Sequence, residues 1–236
     1  MQTIILAGGK GTRLSPYTTV FPKPLMPIGD IPILEIIIRQ LLHAGCNNIV
    51  LTVGHLKELI YAYFGNGSKW GLNIRYSEED KPLGTAGPLR FVDNLEDNFL
   101  VMNGDVLTDI DYSDFFKFHL KNKAICSIAT YQKKVNIDLG VLEVDSNDCI
   151  IKYTEKPTLN FDVSMGIYAF NQEILDYIPR GQYYEFPTLV QCLIKIKNKV
   201  KKYPFRGSWL DIGRPDDYSL AVESFELNKK TFLKDD

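Results

Sequence analysis

Nowhere in the 236 residues does an apolar run approach the ~20 that a bilayer span requires, so no membrane segment is expected. A basic and then apolar leader is also missing, because Met1-Gln2-Thr3 leads straight into a short apolar strand; no secretory signal is expected. Cysteine is sparse. Cys46, Cys126, Cys149 and Cys192 are scattered, and none has metal-ligand spacing with another or with the three histidines. That argues against a zinc or disulfide framework and for small buried thiols in a reducing cytoplasm. Strong charge of either sign is absent as well. A formal net charge of −2 gives no general draw toward nucleic acid or anionic lipid, so any local basic cluster needs a local ligand. The composition that remains is ordinary for a globular chain, 45% hydrophobic and 24% charged. No repeat, low-complexity stretch or linker divides it, and the expectation is one domain over 1–225 with a tail at 226–236.

The order of elements points to an α/β fold. Thr3–Leu6, Asn48–Val53, Leu72–Tyr76 and Phe99–Asn103 read as strands, interleaved with helices over Ile33–Ala44 and Leu56–Phe64 and a short one over Ala86–Val92. This alternation predicts a Rossmann-like, mostly parallel sheet with helices on both faces. After Asp105 the rhythm changes. Helices over Tyr112–Leu120, Tyr184–Ile196 and Asp216–Leu227 are separated by strands at Ala124–Thr130, Gly140–Val144, Ile150–Tyr153 and Val163–Phe170, with short extended pieces at Val200–Pro204 and Ser208–Leu210. The second half is expected to add a mixed sheet over the carboxyl ends of the parallel strands, where ligands bind in such folds.

The opening loop carries the strongest signal. Leu6-Ala7-Gly8-Gly9-Lys10-Gly11-Thr12-Arg13 follows the first strand directly, and Phe21-Pro22-Lys23-Pro24 closes it. Glycines let bare N–H groups approach a ligand where any Cβ would intrude. With the cations Arg13 and Lys23 on the same loop, they describe a cradle for a polyphosphate. The pattern is not a Walker loop, since no Gly-Lys-Ser/Thr closes a four-residue gap. It also lacks the third glycine of the dinucleotide fingerprint.

Four further motifs follow at strand-to-loop junctions: Pro82-Leu83-Gly84-Thr85-Ala86-Gly87, Asn103-Gly104-Asp105, Glu155-Lys156-Pro157 and Trp209-Leu210-Asp211-Ile212-Gly213. Five motifs in this order resemble the sugar-1-phosphate nucleotidyltransferases, with mannose-1-phosphate guanylyltransferase-like members the nearest kind. The likeness runs from Ile4 to about Tyr218.

That resemblance implies transfer of a nucleoside monophosphate from an NTP to a sugar 1-phosphate, with release of pyrophosphate. The nucleophile is already an anion, so the task is to gather anions and neutralise charge rather than to activate a hydroxyl. By the resemblance Arg13 and Lys23 bind the triphosphate, and Leu6, Ala7, Gly8, Gly9, Gly11 and Thr12 form its cradle. Gly84 and Thr85 lie near the nucleoside. Asp105 and Asp211 hold Mg²⁺, Lys156 binds the sugar phosphate, and Gly104, Gly140, Glu155, Ser164 and Gly166 surround the sugar. Singly, either aspartate could be a helix cap, Glu155–Lys156 a surface ion pair and Gly140 a bulge. Jointly, those readings leave Gly104 and Gly213 unexplained. Relatives commonly have Asn where Ser164 stands, which implies altered sugar contacts. Many continue into a β-helical domain; none is expected here. Many are also homo-oligomers, and the sequence leaves that open.

For the base, a carboxylate at Glu79 accepts two hydrogens and so matches the adjacent donors of guanine better than the edge of uracil or thymine. GTP is therefore favoured, with UTP, dTTP or CTP as alternatives and Glu78 as the alternative reader. A non-catalytic regulatory subunit would be expected to lose one of Arg13, Lys23, Asp105 or Asp211, and this chain has all four.

Overall fold

The computed structural model describes residues 1–79 and 81–233. β1 (Gln2–Leu6) runs into a long loop bearing a small hairpin, β2 (Pro27–Ile28) and β3 (Ile31–Pro32). Then come α1 (Ile33–His43), β4 (Asn48–Val53), α2 (Lys57–Phe64), β5 (Asn73–Glu78), β6 (Asn98–Asn103), β7 (Val106–Thr108) and α3 (Tyr112–Asn122). The second half holds β8 (Cys126–Asn136), the hairpin β9 (Val141–Val144) and β10 (Ile150–Thr154), and the long β11 (Thr158–Asn171). It closes with α4 (Phe186–Lys195), β12 (Val200–Phe205), β13 (Trp209–Asp211), α5 (Pro215–Leu227) and α6 (Lys229–Phe232).

Seven strands form one sheet in the order β12-β8-β11-β6-β1-β4-β5. β6, β1, β4 and β5 are parallel, β11 is antiparallel to both β6 and β8, and β12 is parallel to β8. From β1 the chain moves outward to β4 and β5, then returns to the other side of β1 at β6. The order reverses between β1 and β6, and a crevice opens at the carboxyl ends of two strands that diverge in this way. The mixed half expected from the sequence continues this same sheet; the ladders β9–β10, β13–β7 and β2–β3 lie outside it.

Neighbouring side chains on a strand face opposite ways, so each buried strand feeds two cores. Ile5, Leu51, Met102 and Ile167 pack with Ile36 and Ile37 of α1, Phe115 of α3 and Phe225 of α5. Ile4, Val50, Val101 and Tyr168 pack with Leu189 and Leu193 of α4 on the other face. No helix among the described residues is long and apolar enough to cross a membrane.

Three local differences from the sequence reading have physical causes. Within the stretch expected to be a tail, Phe232 and Leu233 are buried and the Phe232 ring lies 6.0 Å from that of Phe225, while 234–236 lie outside the described residues. The short helix expected at Ala86–Val92 is a 3₁₀ turn over Gly87–Phe91 containing Pro88. The helix expected from Tyr184 starts at Phe186, because the Tyr184 carbonyl accepts from Ala86 and Gly87 and its N–H donates to Leu83. Of the four thiols, Cys46 and Cys126 are buried as expected, Cys192 is half-buried and Cys149 is exposed.

Candidate active site

The two loops that meet at the reversal of strand order are tied together. Gly104 N–H donates to the Leu6 carbonyl (3.0 Å), and a Cβ at Gly104 would lie only 2.9 Å from that oxygen. Ala7 N–H donates to Thr52 (2.9 Å), which holds the start of the loop against β4. Gly8 abuts the backbone of Gly54, whereas Gly9 faces open space. Gly11 is left-handed (φ +61), and its carbonyl accepts from the Thr18 hydroxyl (2.8 Å). A side chain there would be strained and would press on the Thr18 methyl at 2.9 Å. The loop thus lines a cleft of about 280 Å³ with Leu6, Ala7, Gly9, Gly11, Thr12 and Arg13. Lys23, Gly104, Asp105 and Gly213 close it.

The charges in the cleft come as two cations and two carboxylates. The buried Lys23 ammonium donates to Asp105 Oδ2. Asp105 Oδ1 is also buried and has no partner among the described residues. Ile212 N–H donates to the Asp105 carbonyl (3.2 Å), and β13 pairs with β7 so that Asp211 lies opposite Val106. A Cβ at Gly213 would stand 3.2 Å from the Arg13 guanidinium and 3.6 Å from Asp211 Oδ2. Arg13 and Asp211 therefore share the space that this glycine leaves bare. Partial burial, and next the charge of Asp105, push the Asp211 carboxyl above the usual range, while Lys23 and Arg13 pull against them.

These oxygen donors fit a hard divalent cation. A buried carboxylate oxygen without a partner, beside a second carboxylate, offers oxygen ligands to such an ion. No group of three or more His, Cys, Asp and Glu gathers among the described residues, so the remaining positions would fall to water and phosphate oxygens.

Glu79 lies beside the loop. Its Oε1 is 3.4 Å from where a Gly8 Cβ would be, and its Oε2 accepts from Leu83 N–H (2.8 Å). Burial raises its carboxyl, and the Leu83 bond partly offsets this. Glu78 points elsewhere, held by Lys57 and by the Tyr61 hydroxyl (2.7 Å). Gly84 and Thr85 carry packing roles. A Cβ on Gly84 (φ +80) would lie 2.5 Å from the Tyr184 carbonyl oxygen. The Thr85 hydroxyl accepts from Phe186 N–H (2.9 Å) at the start of α4. Neither lines the cleft.

Of the residues assigned to the sugar, Gly104 lines the cleft beside Asp105, and Gly166 meets the same loop through Asn103. Gly166 (φ +73) sits at the register shift of β11, with the Asn103 amide 2.6 Å from where its Cβ would be. Asn103 directly precedes Gly104 and Asp105. Ser164 Oγ donates to the Tyr168 hydroxyl (3.0 Å) and accepts from Gly166 N–H (3.3 Å). Glu155 and Lys156 are exposed on the turn between β10 and β11, and the bare face of Gly140 is covered by the Tyr153 ring. The sequence reading missed three connecting residues. Asn103 and Trp209 sat inside motifs it quoted, and Trp209 Nε1 donates to the Met165 carbonyl (3.0 Å), tying the β11 bulge to the strand that bears Asp211. Gly54, the partner of Gly8, had no signal at all.

An α/β protein with two carboxylates and two cations gathered at the reversal of strand order is what fold and site define together. The chain belongs to the nucleotidyl transferase family, whose family model matches residues 2–227. A UTP–glucose-1-phosphate uridylyltransferase of Synechocystis sp. is 35% identical over 94% of this chain and 62% of its own length. A mannose-1-phosphate guanylyltransferase of Mycobacterium tuberculosis is 31% identical over 92% of this chain and 62% of its own. The chain thus spans about 62% of the length of these curated relatives. The crystal structure of HddC from Yersinia pseudotuberculosis complexed with GMP-PN matches at a TM-score of 0.72 and 25% identity, covering 95% of this chain and 99% of that one.

Proposed function

We propose that this protein transfers a nucleoside monophosphate, GMP for preference, from an NTP to a sugar 1-phosphate. A phosphate oxygen of the sugar forms a bond to the α-phosphorus, the bond between that phosphorus and the α–β bridging oxygen breaks, and pyrophosphate leaves. The observation that carries this reading is the cluster of Arg13, Lys23, Asp105 and Asp211 at the crevice between β1 and β6. Arg13, Lys23 and the Gly9–Gly11 backbone hold the phosphates. Lys156 holds the sugar phosphate, and Gly104, Glu155, Ser164 and Gly166 surround the sugar, with Gly140 lying behind the Tyr153 ring. Asp105 and Asp211 would hold Mg²⁺, which when bound supplies charge neutralisation to the phosphates. Glu79 reads the base through Oε1, since Oε2 is committed to Leu83. The same reading has the protein working in the cytoplasm.

UTP is the second nucleotide to consider, because the relative that is 35% identical is named as a uridylyltransferase. A panel of four NTPs against several sugar 1-phosphates, read by pyrophosphate release with Mg²⁺, tests the proposal. Turnover with GTP ahead of the other three is expected. Silence from every pair overturns the enzymatic reading.

A further inference from the structure

The β9–β10 hairpin stands outside the main sheet, and one of its aromatic residues touches two positions assigned to the sugar. Tyr153 lies on β10, opposite Leu142 of β9. Its ring covers Gly140 so closely that a Cβ there would fall 2.3 Å from the hydroxyl oxygen and 2.5 Å from Cζ. The same hydroxyl donates to Glu155 Oε2 (2.8 Å). Yet Tyr153 is 64% exposed, so it does little for a core. A large aromatic is held in the open by one bare glycine and one carboxylate.

The glycine therefore has a reason that the resemblance did not give: it makes room for this ring. We propose that Tyr153 is a positioning residue for the acceptor sugar. Its hydroxyl fixes one oxygen of Glu155 and leaves Oε1 to accept from a sugar hydroxyl, while the outer face of the ring stays open beside the sugar. A free glutamate would have to be ordered on binding; one already held by a phenol is ordered beforehand. The Glu155–Lys156 turn follows Tyr153 directly, and Lys156 itself is left-handed (φ +43). Restraint of Glu155 thus also restrains the neighbour assigned to the sugar phosphate. This inference rests on the proposed function, which supplies the roles of Glu155 and Lys156.

Steady-state kinetics on Tyr153→Phe tests it, because the ring stays and only the hydroxyl goes. The KM for the sugar 1-phosphate should rise about fivefold, the scale of losing one ordinary, solvent-exposed hydrogen bond. The KM for the NTP should stay within about twofold, inside the scatter of substitutions away from a binding contact. In a Glu155→Gln background the same change should add little, as expected for two residues acting as one unit. Gly140→Ala, which displaces the ring, should raise the sugar KM at least as far. Three results would each overturn the inference: an unmoved sugar KM in Tyr153→Phe, equal rises for both substrates, or full additivity with Glu155→Gln. Turnover with an unmoved sugar KM defeats this inference alone, whereas absence of wild-type turnover defeats the proposed function and this inference with it.

Discussion

Lys23 and Asp105 form an ion pair across the floor of the cleft, with the ammonium buried and the far oxygen of the carboxylate left without a partner. A cation assigned to phosphate and a carboxylate assigned to metal thus neutralise one another when neither ligand is bound. Removing one partner exposes the other. Asp105→Asn should lower kcat on the order of a thousandfold, the scale of losing a preorganised charge at the reacting phosphate. It should also cost about 1–2 kcal/mol of stability, less than a fully buried pair would, because Asp211 still faces the ammonium. Adding Lys23→Met should recover the stability and not the activity. Urea titrations beside a pyrophosphate assay decide it; recovered turnover in the double variant would remove both residues from the chemistry.

Asp211 should show activity and stability moving in opposite directions. Its ionised form is disfavoured first by partial burial and then by Asp105, and Arg13 and Lys23 do not fully offset this. Strain of this kind is tolerated where function needs it. Asp211→Asn should therefore raise the Tm of the ligand-free protein at neutral pH while abolishing turnover. Its solvent-exposed rim keeps the gain small. A fall in Tm would instead mean that Asp211 serves the β13–β7 ladder.

The core contains a titrating group of its own. His119 is fully buried, Nδ1 meets Ser127 Oγ at 2.9 Å, and Nε2 has no partner among the described residues. Burial pushes the imidazole down to about 4, whereas in the unfolded chain it titrates near 6.5. Between those values the unfolded state binds the extra proton. The contribution of His119 is therefore fully present above about pH 6.5 and is lost as pH falls toward 4, a total of roughly 3 kcal/mol at about 1.4 kcal/mol per pH unit. Unfolding free energies at pH 7, 5.5 and 4.5 should fall more steeply for the wild type than for His119→Gln. Parallel slopes would show that other groups carry the acid sensitivity.

The parallel half of the sheet was legible because its strands are short, mostly apolar runs that end in glycine-bearing loops, a local pattern. The cleft was legible for the same reason: Gly9, Gly11, Arg13 and Lys23 lie on one loop, so their convergence needs no tertiary knowledge. Asp105 and Asp211 are 106 positions apart, and only the β7–β13 ladder, with β7 unforeseen, brings them together. Gly84 and Thr85 have packing partners that were not legible. Their motif is local, but it serves a distant partner, the Tyr184–Phe186 turn, which no spacing rule announces. The packing of Phe232 and Leu233 was missed because they follow a lysine-rich stretch that reads as solvated.

Glu79 offers the finest test of substrate choice. With Oε2 bound to Leu83 N–H, only Oε1 beside Gly8 is available to a base. One carboxylate oxygen still accepts from a guanine donor and repels the carbonyl oxygens of uracil or thymine. In Glu79→Gln the amide can keep the Leu83 bond through its oxygen and present an NH₂ group instead. That group donates to a pyrimidine carbonyl and opposes guanine. The ratio of kcat/KM for GTP over UTP should fall about tenfold or more, equal to a change of about 1–3 kcal/mol in one buried polar match. Burial already raises the carboxyl of Glu79, so the neutral amide should not destabilise the fold. Stability close to wild type with a collapsed base preference assigns the base edge to Glu79. An unchanged preference would leave Glu79 only the task of holding Leu83, and would move base selection to the backbone groups of the loop.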